Sequence, residues 1–233
     1  MLFLRSFWFY IGMIVSLLVF FPFPLLAWLL PYRQRYQLLI SWGHFVLWWL
    51  EKTCHLTYQV EGLENLPQTP VILLSKHQSA WETFAFLKIF PMQVWVLKRE
   101  LLWIPVFGWG LAALRPIAIK RTSIRKSLQQ IIEQGKQHLA DGRWILVFPE
   151  GTRVAPGEKK RYGIGGAILA AQSGYPVIPI AHNSGTFWSR QAFIKRPGTI
   201  QVHIGPMIES SGKNYQQINS LAEEWIEQTM LRL

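Results

Sequence analysis

The sequence predicts an α/β domain built on a mixed, largely parallel sheet flanked by helices and preceded by an N-terminal two-helix membrane anchor. Three observations predict it. Beyond about residue 60, short apolar runs rich in β-branched residues alternate with longer helical patterns, as in strands joined by helical crossovers. Residues 6–32 carry no charge, and no Asp or Glu precedes Glu51. The chemically capable side chains fall in loops at the ends of the apolar runs, where open α/β sheets collect their ligands. The anchor is assigned to residues 1–55 and the α/β domain to residues 56–233.

The anchor comes first in the chain. The unbroken apolar stretch 6–21 reaches about 24 Å as a helix, short of a hydrocarbon core of about 30 Å, and Pro22 and Pro24 break the pattern immediately after it. A second uncharged stretch, 36–50, begins after Arg33 and Arg35 and carries Trp42, Trp48 and Trp49. Two architectures fit: a spanning helix and then an interfacial one, or a hairpin that enters one leaflet and returns. The aromatic content and the proline break favour the hairpin. A cleaved signal sequence fits less well, because the run exceeds the usual 7–15 apolar residues and no small-x-small site stands after it.

In the domain, the strand candidates are residues 71–75, 94–97, 116–119, 144–148, 177–181 and 199–204. Helices are expected at 80–90, 101–114, 123–140, 163–172 and 214–231. The third of these places Ile124, Leu128, Ile131, Ile132 and Leu139 close to one face.

Composition narrows the function. Of 233 residues, 16% are charged and 50% apolar, against about 25% charged in a typical soluble domain; disorder, collagen and coiled coil are excluded as the main architecture. Lys and Arg number 24 and Asp and Glu 13, a net charge of +11, with 12 Trp. A basic, Trp-rich, charge-poor chain suits a membrane surface or an anionic substrate. Nucleic acid fits poorly, since the aromatics cluster in the uncharged N-terminus instead of interleaving with the cations as a base-stacking surface requires. The single Cys54 excludes an internal disulfide framework and reads as a small buried residue.

Two loops and one basic stretch carry candidate chemistry. In the first, Lys76-His77-Gln78-Ser79-Ala80-Trp81-Glu82, a His leaves a strand and an acid stands five positions later in the first helical turn. A carboxylate there is favoured by the helix field and can hold one imidazole nitrogen, leaving the other as a general base. In the second, Phe148-Pro149-Glu150-Gly151-Thr152-Arg153, a turn sets a carboxylate and an Arg at a strand end; Arg binds two phosphate oxygens at once. The third feature is basic. Between positions 98 and 126, Lys98, Arg99, Arg115, Lys120, Arg121, Arg125 and Lys126 face one acid, Glu100. Of these cations Lys98 and Arg121 stand at strand ends, as does Arg153, and are the phosphate candidates. Gly163-Ile164-Gly165-Gly166 comes after a charged loop and is no dinucleotide fingerprint. His44, His55, His138, His182 and His203 lack metal spacing and read as structural, so no metal is expected.

Taken together and in order, these blocks resemble the 1-acyl-sn-glycerol-3-phosphate acyltransferases, the lysophosphatidate acyltransferase or PlsC-like family. The His–acid block looks like His77 to Glu82. The block with an Arg closing a short strand is similar to Ile117-Ala118-Ile119-Lys120-Arg121. The Pro-Glu-Gly block is intact, and Val177-Ile178-Pro179-Ile180 resembles the fourth. Lys98 to Leu101 and Ile104 to Gly108 also look like a family stretch. The likeness spans roughly residues 60–210. Two departures stand out: Glu82 where the family usually has Asp, and Lys120 where it often has Asp.

The resemblance implies transfer of an acyl chain from an acyl thioester, on coenzyme A or an acyl carrier protein, to the sn-2 hydroxyl of 1-acyl-sn-glycerol 3-phosphate, giving phosphatidate without a cofactor. His77 would be the general base and Glu82 its orienter. Lys98, Arg121 and Arg153 would hold the phosphate, with Glu150, Gly151 and Thr152 shaping that site and Glu150 near the glycerol. Pro179 and Ile180 would position the acyl part; the oxyanion donors stay open, with backbone N–H groups near His77 as one candidate. The implied setting is the inner membrane, with the catalytic domain on the cytoplasmic side and membrane lipid as the partner. The alternatives are the same chemistry on another lysolipid or on glycerol 3-phosphate, and a non-catalytic membrane-binding protein.

Overall fold

The structure, a computed structural model, describes residues 1–20, 23, 27–120 and 123–233. Two helices open the chain, α1 (Leu2–Phe20) and α2 (Tyr32–Cys54). The domain continues β1 (Leu56–Glu61), β2 (Ile72–Ser75), α3 (Trp81–Ile89), β3 (Gln93–Lys98), α4 (Phe107–Ala113), β4 (Ile117–Ile119), α5 (Ile124–Ala140), β5 (Trp144–Val147), α6 (Gly165–Ser173), β6 (Val177–His182), α7 (Ser184–Phe187), β7 (Gly198–Ile204) and α8 (Tyr215–Met230). The seven strands form a sheet of order β1-β7-β6-β2-β5-β3-β4. Every pair is parallel except β6–β7.

Helices cover both faces, and strand pleating explains how. Successive side chains point to opposite sides, so Leu73, Leu146 and Ile178 pack with Val46 and Leu50 of α2 and Phe86 of α3. Ile72, Leu74, Ile145, Val147 and Val177 pack on the other face with Ile131 of α5, Leu169 of α6 and Ile218 of α8. Strands buried on both sides read as continuous apolar runs, which is why β2, β5 and β6 stand out in the sequence. Ile124 points away from this core and is exposed, unlike Ile131 and Leu139.

Two expectations change here. The strand β1 is an addition: it begins after α2 and one left-handed residue, His55 (φ 53°), and pairs only with β7 at the sheet edge. The helix expected over 101–114 is a 3-10 turn (Arg99–Trp103) and then the shorter α4.

Of the two helices expected to form a membrane anchor, one is a candidate to span a bilayer. At 1.5 Å per residue the 19 residues of α1 reach about 28 Å, and α1 alone among the described helices is long and apolar enough to cross a membrane. Its outer face exposes Phe3, Phe7, Val15, Leu18 and Val19. The second helix carries charges and turns eight buried residues inward, with Trp42 edge-on to Phe84 of α3. The expected break at Pro22 and Pro24 lies outside the described residues.

The two helices are joined by polar contacts. Trp42 Nε1 donates to Ser16 Oγ at 3.2 Å and Trp49 Nε1 to the Trp8 carbonyl at 3.2 Å. In its N-terminal half α1 is also tied to the domain by the fully buried Lys195. The Lys195 N–H donates to Ser6 Oγ at 2.8 Å, and the ammonium donates to Tyr10 Oη and to the carbonyls of Ala192 and Phe193 at 2.7–2.8 Å. It also lies over the rings of Tyr10 and Trp188, 4.5 and 4.8 Å from their centroids.

Gly12 lets the Trp49 indole cross α1, because a Cβ there would collide with it. Gly12→Val is expected to cost about 1–3 kcal/mol by overpacking, read as a lower melting temperature of the detergent-solubilised protein. An unchanged melt would show that Trp49 is free to move aside.

Candidate active site

Strand β2 ends at Ser75 and delivers Lys76 and His77 to the carboxyl edge of the sheet. The Lys76 N–H donates to the Ile180 carbonyl at 3.0 Å and the Val154 N–H to the His77 carbonyl at 2.8 Å. The loop is therefore held between β6 and the segment after β5. The imidazole of His77 stacks on Phe148, centroids 4.0 Å apart.

Glu82, in the first turn of α3, is wholly buried while the His77 side chain keeps 15% of its surface exposed. His77 Nδ1 and Glu82 Oε1 are 2.8 Å apart. The same oxygen accepts the N–H groups of Gln78 and Ser79 at 2.8 Å each, and Oε2 accepts the Ser184 hydroxyl at 3.0 Å. Burial opposes the Glu82 charge, but His182, His77 and the Ser79 N–H outweigh it and hold the carboxyl well below the usual range, at about 2. An ionised Glu82 makes Nδ1 the donor and leaves Nε2 as the free lone pair. The methylene that Glu82 adds over Asp is absorbed within the turn, since the oxygen still meets both N–H groups and the ring.

A second layer lies beneath. Glu150, 2% exposed, accepts the His77 N–H on Oε2 at 2.8 Å. Its Oε1 lies 2.7 Å from Lys76 Nζ, which also reaches Glu227 of α8 at 2.8 Å. Burial works against the Lys76 cation, but the two carboxylates overcome it and raise its pKa. Tyr162 donates to Glu227 at 3.0 Å, and burial together with Glu227 and Glu150 pushes its phenol up. His182, buried and pushed down by that burial, bonds the Lys76 carbonyl through Nε2 at 2.8 Å.

His77, Lys98, Gly151 and Arg153 line one cleft of about 750 Å³, with Trp95, Phe107 and Phe148 among its apolar walls. It shares Thr83, Trp95, Phe107 and Leu111 with an almost wholly apolar, half-open groove walled by Leu17 and Phe20 of α1 and Trp42 of α2.

The structure thus brings His77, Glu82, Lys98, Gly151 and Arg153 together. Thr152 is half-buried beside them without lining the cleft. Arg121 lies outside the described residues. Two expectations are corrected, and one candidate for the open oxyanion donors is removed. Glu150 is too deeply buried to meet a glycerol and braces the His77 backbone instead. Pro179 and Ile180 sit inside β6 in the sheet core, away from the cleft; the Ile180 carbonyl orients the loop. The N–H groups of His77, Gln78 and Ser79 are taken by Glu150 and Glu82, so they are not free as oxyanion donors. Sequence reading missed Lys76, Tyr162, Ser184 and Glu227. Only Lys76 left a signal there, as a cation at the end of an apolar strand.

An acyltransferase family model matches residues 57–183. A 1-acyl-sn-glycerol-3-phosphate acyltransferase from Pseudomonas aeruginosa is 44% identical over 212 residues, 89% of this chain and 82% of that one. The 1-acyl-sn-glycerol-3-phosphate acyltransferase alpha of Mus musculus is 30% identical over 169 residues, 71% of this chain and 59% of the other. The crystal structure of a 1-acyl-sn-glycerophosphate acyltransferase, PlsC, from Thermotoga maritima shares the fold, with a TM-score of 0.79, 22% identity and coverage of 98% and 94% of the two chains. With a buried acid fixing a cleft-lining histidine, and with more than half its length matched, the chain belongs to the acyltransferase family.

Proposed function

We propose that the protein acylates the sn-2 hydroxyl of 1-acyl-sn-glycerol 3-phosphate from an acyl thioester, giving phosphatidate. The observation that carries this reading is the 2.8 Å contact of His77 Nδ1 with the buried Glu82, in a cleft that also holds Lys98 and Arg153. The relatives' shared activity supports it. His77 Nε2 accepts the hydroxyl proton as the oxygen bonds to the thioester carbonyl carbon. Glu82 stabilises the imidazolium. The C–S bond breaks, and the thiol leaves with the proton that Nε2 returns. Lys98 and Arg153, with Arg121 on the strength of the sequence resemblance, hold the substrate phosphate. The apolar groove beside the cleft takes an acyl chain, and α1 and α2 supply part of its wall.

The donor is an acyl chain on coenzyme A or an acyl carrier protein, and no further cofactor takes part. Residues 1–55 keep the 56–233 domain on the membrane, where lysolipid and product reside. The excess of cations between 98 and 126 favours the cytoplasmic side of the inner membrane for the domain.

The test is acyl transfer from a labelled thioester to a panel of lysolipids in membranes. Arg153→Ala is expected to raise the apparent KM for phosphate-bearing acceptors about tenfold or more, by loss of a charge-assisted contact, with kcat less affected. Equal rates on an acceptor that lacks the phosphate would remove the phosphate role from this cleft.

A further inference from the structure

A second cationic site stands at the opposite end of the strands from His77. Arg115 precedes β4 and Arg143 precedes β5, whereas the catalytic loops leave the other ends of the strands. The first turns of α2 bring Tyr32 and Arg35 to the same place. The Cζ atoms of Arg35, Arg115 and Arg143 lie 5.5, 5.6 and 4.6 Å from the centroid of the Tyr32 ring. That ring is fixed, because its hydroxyl donates to the Leu114 carbonyl at 3.0 Å.

The charges there are not balanced. Arg143 bonds Asp141 at 2.6 Å and the Nδ1 of His138. His138 adds no compensating charge: burial and the Arg143 cation push its pKa down to about 4, which leaves the ring neutral. No carboxylate meets Arg35 or Arg115 among the described residues. Arg35 is only 4% exposed, is covered by the Trp28 ring at 5.2 Å, and its Nε has no hydrogen-bond partner. A buried guanidinium with an unused donor lacks the pairing that such groups normally have. Three cations and one acid around one aromatic ring call for an anion, and a planar guanidinium fork fits a phosphate.

The surroundings indicate where that phosphate comes from. Trp28 is 53% exposed and Leu29 is more so. They lie in the turn ahead of α2, in the α1–α2 connection of the apolar anchor. Trp and Arg side by side at the end of an apolar helix are typical of the headgroup level of a bilayer.

We propose that Arg35 and Arg115, with Arg143 beside them, bind the phosphate of an anionic phospholipid headgroup at a site separate from the catalytic cleft. The occupant is a resident membrane lipid that ties the anchor turn to the domain.

Native mass spectrometry of the full detergent-solubilised chain, titrated with phosphatidylglycerol or with phosphatidylcholine, tests this. The parent is expected to retain phosphatidylglycerol over phosphatidylcholine. Arg35→Gln/Arg115→Gln is expected to weaken that retention about tenfold or more, while Arg153→Ala keeps it. Arg115→Gln alone, which leaves the buried Arg35 in place, gives a several-fold loss with the fold intact. Displacement by millimolar inorganic phosphate assigns the site to phosphate from either source and overturns the resident lipid; resistance to it assigns the site to the lipid. Equal retention by parent and double variant, equal retention of the two lipids by the parent, or loss in Arg153→Ala alone also overturns the proposal.

Discussion

Replacing His77 by alanine is expected to lower kcat by about 10²–10⁴-fold, the usual contribution of a positioned general base. The thermal midpoint should stay near that of the parent. The imidazole lines the cleft and meets one buried partner, and the loop around it is held by backbone contacts: Lys76 N–H to Ile180, His77 N–H to Glu150 and Val154 N–H to the His77 carbonyl. Alanine keeps all three. Lysolipid binding, measured in the absence of donor, should also persist, because Lys98 and Arg153 are untouched. Unchanged turnover in His77→Ala would remove the proton-transfer step assigned to this residue. Glu82 makes a poor substitute for the same test: its oxygens satisfy two backbone N–H groups and the Ser184 hydroxyl besides the ring, so its removal mixes folding with chemistry.

The second large effect is expected at Lys76, on stability first. Lys76→Met removes the cation that Glu150 and Glu227 share at 2.7 and 2.8 Å and leaves two carboxylates facing each other in the interior. Breaking a buried ion pair from one side costs about 3–5 kcal/mol, a large part of the roughly 5–15 kcal/mol that holds a typical domain together. The melting temperature in detergent should fall steeply. Adding Glu150→Gln to Lys76→Met should recover part of the loss, since one uncompensated charge is gone. If the single variant melts with the parent, the network is not what secures the loop to α8. Activity is expected to fall with stability, because Glu150 also fixes the His77 backbone.

The central strands and the His77–Glu82 pair were legible in the sequence because both are local. Parallel strands buried on both faces leave unbroken apolar runs, and a His and an acid five positions apart span one strand-to-helix turn. The edge strand β1 was not legible. Most of its side chains are only partly covered, and it leaves α2 with no Gly or Pro to mark the junction. Glu150 was misread because a carboxylate in a turn looks solvated until Lys76 and Glu227, 74 residues before and 77 after it, are seen to meet there. Pro179 and Ile180 carried the resemblance yet lie in the core. A sequence block can mark the strand that aligns a site as readily as the side chains that touch a ligand. The three arginines around Tyr32 come from three separate segments, and no local pattern unites them.

The ammonium of Lys195 is clamped by Tyr10 and two carbonyls, and the neighbouring N–H by Ser6. These contacts join the apolar helix α1 to the catalytic body. On the proposed membrane reading, the cleft therefore travels with α1 and stays at the surface that α1 enters. Turnover is then expected to track the surface mole fraction of lysolipid, so that diluting the surface with inert lipid slows it at unchanged bulk concentration.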